Sequence, residues 1–453
     1  MTVGNHLIEL ASVAALFSLM AVARVVLVKR MEDPFGLFLL AFGVFYGFRA
    51  LLVASGLDAP SPDYLFATTD MQRTLVRTTF ALCVFLAVFI GAGYLVSRKP
   101  ARSPGILFYP GTPPIHRMLF LTFVLTGLSV VIGAVLITRF GGFGGVVNAS
   151  KFSDDLAGLR YLKLPSSLGA LIAAATYMDL RTSSRAMPFM KPAVLACAVI
   201  NSILVFSWGQ RSVVVIVAAM LVMSSVKGRS VKRAGSFVRI ALATVLVVSL
   251  AVFLRDTRDD FAQPGQTHVF EKQTVWRRMS QGVNGTYFDA SMLAFRDWPA
   301  KFSFRDGEDF SNGFTGSVPR KLWPDKPDPL PGKWFRQVYQ PQIKNGWPVG
   351  TPTIWYLNFG WFGLVIGGIL SGAAIGWITR RYRSAPRSGL NVAVTFNLSV
   401  FVLPLGWVSQ APLLFLTWGL PMILIVAFLR FQPVRPAAPA YTSSAVAKAP
   451  VHT

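Results

Sequence analysis

Runs of roughly 20 apolar residues recur along the whole chain, and a stretch of that length and composition has one favourable destination, a helix crossing a lipid bilayer. They cover about 7–28, 35–54, 76–97, 118–138, 164–180, 192–208, 212–226, 239–254, 353–378, 391–409 and 412–430. The pattern predicts an all-α polytopic integral membrane protein with about eleven transmembrane helices. Composition agrees, with 53% hydrophobic and only 14% charged residues among 453, where a soluble domain carries about a quarter charged. The N-terminus lacks the basic region of a cleaved signal, so its first apolar run is read as a permanent span.

Formal net charge is +24. A nucleic-acid binder can carry that charge but not this hydropathy, so no nucleic-acid partner is expected. The cations are left for topology and for anionic ligands or membrane lipid. Cys83 and Cys197 lie inside apolar runs and the 4 His are scattered, so neither a disulfide framework nor a metal site is expected. No EF-hand, HExxH, Walker or GxSxG pattern occurs, and no cofactor is expected.

The connecting segments alternate in charge. KRMEDP (29–34), RKPARSPG (98–105), RTSSRAMPFMK (181–191), KGRSVKR (227–233) and TRRYRSAPR (379–387) are short and basic. The others are less one-sided: 55–75 contains Asp58, Asp63 and Asp70, and 139–162 contains Asp154 and Asp155. The positive-inside rule places the basic set in the cytoplasm and the N-terminus outside. The chain then divides into a membrane domain at 1–254 with about eight helices, a large outer loop at 255–352 with short helices, about three more helices at 353–430, and a disordered cytoplasmic tail at 431–453. The outer loop is nearly neutral, with 14 Lys or Arg against 11 Asp or Glu.

Arginines at membrane depth are costly, so they face cavities or snorkel. Arg49, near the outer end of its span, and Arg77, which begins the next, are read as snorkelling. Arg211 is different. It closes the tight outer turn Gly209-Gln210-Arg211, where glycine serves the turn and an arginine does not. It is read as an anion ligand on a rigid hairpin. In WRRMSQGVNGTYF (276–288), Trp276, Met279, Val283 and Tyr287 form an apolar helical stripe, with Arg277, Gln281 and Asn284 on another face. The Gly-rich segment 141–162 has no GxGxxG spacing and reads as a flexible or closely packed loop carrying Lys151 and Arg160.

SVPRKLWPDKPDPLPGKWF (317–335) sets Arg320, Trp323 and Trp334 among five prolines, each of which fixes φ and stiffens the segment. Lys321 and Lys326 within it are read as solvated. The outer face therefore gathers Lys151, Arg160, Arg211, Arg255, Arg258, Arg277, Arg278 and Arg320. Planar arginine forks match phosphate oxygens, and Trp323 matches a sugar face or the headgroup belt. The expected site is metal-independent and binds an anionic, lipid-linked ligand.

VPRKLWPDKP followed by GTPTIWYLNFGWFGLVIGGILSGAAIGW (350–377) resembles the C-terminal region of the Wzy-type O-antigen polymerases, bacterial oligosaccharide repeat-unit polymerases. That family shows a PR-x-x-WP-x-KP segment, a YLNFG-x-x-G segment entering a Gly-rich span, and a short G-x-R turn that Gly209-Gln210-Arg211 matches. The resemblance covers about 60 residues as motif and much of the chain as layout. It implies a GT-C-like membrane glycosyltransferase at the outer face of a bacterial inner membrane. Its donor and acceptor would be undecaprenyl-diphosphate-linked oligosaccharides, and a chain-length regulator and a flippase would be its partners. An acceptor hydroxyl displaces lipid diphosphate at the anomeric carbon. Arg211 and Arg320 would meet the departing charge, with Arg277, Arg278, Arg258 and Arg160 behind them. Asp289, Glu308 and Asp309 are the candidate bases, and Trp323, Tyr356 and Asn358 the motif residues expected at the substrate. An O-antigen ligase, for which His268 would serve, and a lipid transporter or flippase are the rival readings.

Overall fold

The computed structural model describes residues 3–29, 32–67, 69–99, 101–152, 161–182, 189–226, 249, 253, 286–316, 318, 322–327, 331–342, 346–402 and 411–431. Among them every regular element is helical. Six helices are long and apolar enough to cross a membrane. They are Leu7–Leu27 in α1 (Val3–Leu27), α2 (Pro34–Ala54), α3 (Met71–Ser97), α4 (Ile115–Arg139), α7 (Met190–Ser207) and α12 (Thr351–Arg383). Between and after these lie α5 (Phe143–Phe152), α6 (Leu164–Thr182), α8 (Arg211–Val226), α9 (Thr286–Asp297), α10 (Glu308–Thr315), α11 (Pro331–Tyr339), α13 (Gly389–Phe396), α14 (Ala411–Leu414) and α15 (Leu420–Arg430). The expected span at 239–254 falls outside the described residues but for 249 and 253, and that at 391–409 is described only to residue 402.

Two apolar cores organise the bundle. One gathers α1, α2, α3 and α9 around Phe35, Phe38, Phe85, Phe89 and the first half of α12. The other gathers α4, α6, α7, α8, α13 and α15 around Ala170–Ala175, Val194, Ala198 and Val392. At the centre of the second, α6 is buried on all sides from Ser166 to Thr176 apart from its neighbours' seams. Its small residues let other helices approach closely.

The seam between α3 and α12 is a backbone-to-backbone contact. A Cβ at Gly368, Gly372 or Gly376 would lie 2.8 Å from Phe85 O, 2.3 Å from Phe89 O or 2.9 Å from Gly93 O. Every fourth residue is glycine there because no side chain fits.

Hydrogen bonds sort the loops into two ends. At one end Arg383 donates to Asp33 Oδ2 at 2.8 Å, Arg387 to Glu32 Oε2 at 3.0 Å, Arg381 to Ser103 O at 2.9 Å, and Gly389 N–H to Asp179 Oδ1 at 2.7 Å. These joins unite three of the segments that the sequence groups as basic, and Asp179 lies two residues before a fourth. At the other end, segment 55–70 meets α9, Ser150 meets the α7 terminus, and Ser167 Oγ donates to Gln210 Oε1 at 3.1 Å. The two ends are called here the basic end and the loop end.

Gly372→Leu is expected to overpack the α3–α12 seam by about 1–3 kcal/mol or more. Gly91→Leu is the control, since nothing lies within 4 Å of its Cβ position. Melting of detergent-solubilised protein checks this: a lower Tm for Gly372→Leu and an unchanged one for Gly91→Leu.

Candidate functional site

The loop end is built on a break in α12. Phe359 (φ −137°, ψ 16°) and Gly360 (φ 60°, ψ −146°) leave the helical region, and the positive φ is one that glycine alone adopts freely. The break frees the carbonyls of Leu357 and Asn358. Arg305 N–H donates to the first at 3.0 Å and Asp306 N–H to the second at 3.2 Å. Asn358 completes the join. Its Oδ1 accepts from Gly307 N at 3.1 Å, and its Nδ2 donates to Asp309 Oδ2 at 2.9 Å and to Ile354 O at 2.8 Å. The turn at Asp306 (φ 46°) and Gly307 (φ 90°) then starts α10.

This turn displays a cation and three carboxylates, Asp306, Glu308 and Asp309. The Arg305 guanidinium lies 3.8 Å over the Trp334 ring, reaches Glu308 Oε2 at 3.0 Å and Asp309 Oδ1 at 3.1 Å. Asp309 is buried, and burial pushes its carboxyl above the ordinary range against the pull of Arg305 and Asn358. The Glu308 side chain is 57% exposed. It is a solvent-facing carboxylate whose direction is set by a stacked arginine.

Asp289, the other carboxylate singled out from the sequence, sits one helix away on α9 and is buried. Arg49 donates to it from Nε at 3.1 Å and from Nη2 at 3.0 Å, and Ser61 N–H donates at 3.1 Å. Burial pushes the Asp289 carboxyl up, against the pull of Arg49. With its oxygens so engaged, Asp289 ties α9 to α2, and Glu308 is the accessible carboxylate of the two. Arg49 itself does not snorkel: it is fully buried, and it also meets Asp58 and donates to Ala59 O at 2.7 Å. The expectation fails because the chain folds two carboxylates onto Arg49, Asp58 from the segment after its helix and Asp289 from 240 residues away in sequence.

Tyr356 and Asn358, expected at the substrate, are buried struts. Tyr356 donates to Trp298 O at 2.8 Å and accepts from Arg77 Nη2 at 3.2 Å. Lys326 is not simply solvated either, since its Nζ donates to Gly316 O at 3.0 Å and also to Val318 O. Leu322 and Trp323, a few residues before it, are exposed. Arg160, Arg258, Arg277, Arg278, Arg320 and His268 lie outside the described residues. Arg211 begins α8 after Gly209 (φ 72°), at the loop end, and its side chain also lies outside them.

Beside the buried clamp opens a small cleft lined by Ser61, Pro62, Thr286, Ala290, Arg336, Gln340 and Trp347. Arg336 Nε donates to Gln340 Oε1 at 2.9 Å, and its guanidinium stands 5.5 Å from the Trp347 ring centre. Burial pulls the Arg336 guanidinium below its ordinary value. Next to the cleft Arg296, Lys301 and Tyr339 all bond Asp297. Burial raises the Asp297 carboxyl, but the bonds from Arg296, Tyr339 and Lys301 outweigh it and hold the group below its usual range. Sequence reasoning did not single out Arg305, Arg336 or Trp347. The signal was the amphipathic spacing of α11, which turns Phe335 inward and sets Trp334 under Arg305. Among the described residues no three His, Cys, Asp or Glu side chains converge as a metal site.

The chain matches no protein family model, no curated protein and no solved structure.

Asn358→Leu is expected to orphan the Gly307 amide and free Asp309, at a cost of about 1–3 kcal/mol. Glu308→Gln touches a pair whose carboxylate is exposed to solvent, worth about 0–1 kcal/mol. Melting in detergent checks both: a drop of several degrees for Asn358→Leu and almost none for Glu308→Gln.

Proposed function

We propose that the chain is an oligosaccharide repeat-unit polymerase of the Wzy type, with about eleven spans and a GT-C-like plan. It would transfer a growing glycan from undecaprenyl diphosphate to a new lipid-linked repeat unit at the outer face of a bacterial inner membrane. In this reading the loop end faces outward, because the opposite end carries the basic segments.

The observation that carries the reading is the join at the α12 break. The YLNFG stretch, one of the segments that resemble the family, holds the turn from which Glu308 projects beside a stacked Arg305. A solvent-facing carboxylate on a rigid turn, at the end where a lipid-linked sugar would emerge, suits general-base work. In the proposed step Glu308 takes the proton of the acceptor hydroxyl. The hydroxyl oxygen forms a bond to the anomeric carbon, and the bond from that carbon to the diphosphate oxygen breaks. The diphosphate leaves with the electron pair, and Arg211 and Arg320 would meet its charge. The cleft of Arg336, Gln340 and Trp347 would hold a sugar of one glycan, an aromatic wall against its face and polar groups against its hydroxyls.

Feeding purified lipid-linked repeat units to the protein in vesicles tests this. Lengthening chains are expected from the wild type. Transfer only to a different acceptor would indicate a ligase, and movement across the bilayer without bond formation a flippase. Glu308→Gln is expected to lose about 100-fold or more in polymer per inserted protein, and Arg211→Ala a comparable amount. Full polymer from Glu308→Gln would remove it from the base role.

A further inference from the structure

Three arginines at the loop end are matched by carboxylates. Arg49 has Asp289 and Asp58, Arg296 has Asp297, and Arg305 has Glu308 and Asp309. Arg73 and Arg77 are not. Among the described residues neither makes an ion pair, and the side-chain bond given by either is the one from Arg77 to Tyr356. They stand four residues apart on α3, hence on one face about 5–6 Å from each other. Arg73 is exposed and Arg77 half-buried.

The hydroxyl that holds Arg77 is itself fixed. Tyr356 gives its proton to Trp298 O at 2.8 Å and so presents a lone pair to Arg77 Nη2. The guanidinium is oriented from below, and its remaining N–H groups are left for another acceptor. A snorkelling arginine in bulk headgroups has no need of such a brace.

Directly along the same face the surface turns apolar. Phe80, three residues after Arg77, meets Trp361 of α12 with ring centres 5.9 Å apart. Phe80 is 60% exposed and Trp361 40%. The α3 ridge continues toward the basic end through Val84 and Ala87, and the α12 side through the exposed Phe362, Val365 and Ile369. The glycine seam of these helices closes the groove behind them. Arg77 lies about 9 Å along α3 from its first residue, at 1.5 Å per residue.

We propose that Arg73, Arg77 and the apolar seam between α3 and α12 bind a phosphate-bearing lipid, headgroup on the arginine pair and tail along Phe80 and Trp361. Two planar forks supply paired donors to phosphate oxygens, and the exposed rings supply the tail contact. The proposal stands on the seam and not on the polymerase reading. A bulk phospholipid and an isoprenoid diphosphate share this chemistry.

The test is thermal stabilisation and native mass spectrometry of delipidated protein in a non-ionic detergent. The probes are geranylgeranyl diphosphate, phosphatidylglycerol and inorganic pyrophosphate. At least one lipid is expected to bind and raise Tm, with pyrophosphate alone at least ten-fold weaker. A preference for the diphosphate marks an isoprenoid carrier and a preference for the phospholipid marks a structural lipid; both support the site. Arg73→Gln with Arg77→Gln is expected to weaken lipid binding ten-fold or more. Arg77→Lys keeps the charge, folds as the wild type does, and is expected to weaken it several-fold through the lost fork. Arg139→Gln, which removes another loop-end cation without a carboxylate partner, is expected to change nothing. Lipid binding that is unchanged in both the double variant and Arg77→Lys, or pyrophosphate binding as tight as either lipid, overturns the proposal. No turnover is measured, so its failure leaves the polymerase reading to the vesicle assay.

Discussion

A full positive charge lies buried at the loop end of the bundle, and the neighbouring structure answers to it. Arg49 would be costly among apolar side chains unless its donors were met. They are met by Asp58 from the segment that follows its own helix and by Asp289 from α9. One guanidinium therefore joins three parts of the chain, and no single replacement of a partner leaves it satisfied. The floor of the cleft follows, because Ser61 N–H binds the same Asp289 carboxylate.

The second constraint is backbone. The break at Phe359 and Gly360 strands two carbonyls that lipid or protein would otherwise leave bare. Their capture by Arg305 and Asp306 makes the turn before α10 an extension of α12 rather than a free loop. Arg305 then spans from Trp334 to both acidic residues. The loop end is thus a cap with two fastenings, an ion pair to α2 and backbone bonds to α12. A site carried on such a cap keeps its geometry without ligand.

Much of this architecture is legible in sequence because a bilayer imposes length. The spans at 35–54, 118–138 and 192–208 end within a few residues of α2, α4 and α7. The loops that the basic residues group together do meet at one end. α6 is harder to recognise as a span, since its Ser166, Ser167, Thr176 and Asp179 are hidden against other helices rather than exposed to lipid. The site was less legible. Arg49 resembles an interfacial arginine until Asp289 is brought beside it, and periodicity carries no trace of a partner so remote. Tyr356 and Asn358 belong to a motif, yet their side chains point inward to brace it. Glu308 was visible as a carboxylate in the long loop, and its exposure follows from a turn that the α12 break explains.

The central claim is that the buried Arg49–Asp289 pair fastens the cap to the bundle. A double-mutant cycle measures it: Arg49→Met, Asp289→Leu and the two together, each melted in detergent. Each single change strands a buried charge and is expected to cost about 3–5 kcal/mol, while the double change costs well below the sum. Costs that simply add, or a harmless Asp289→Leu, would contradict the account.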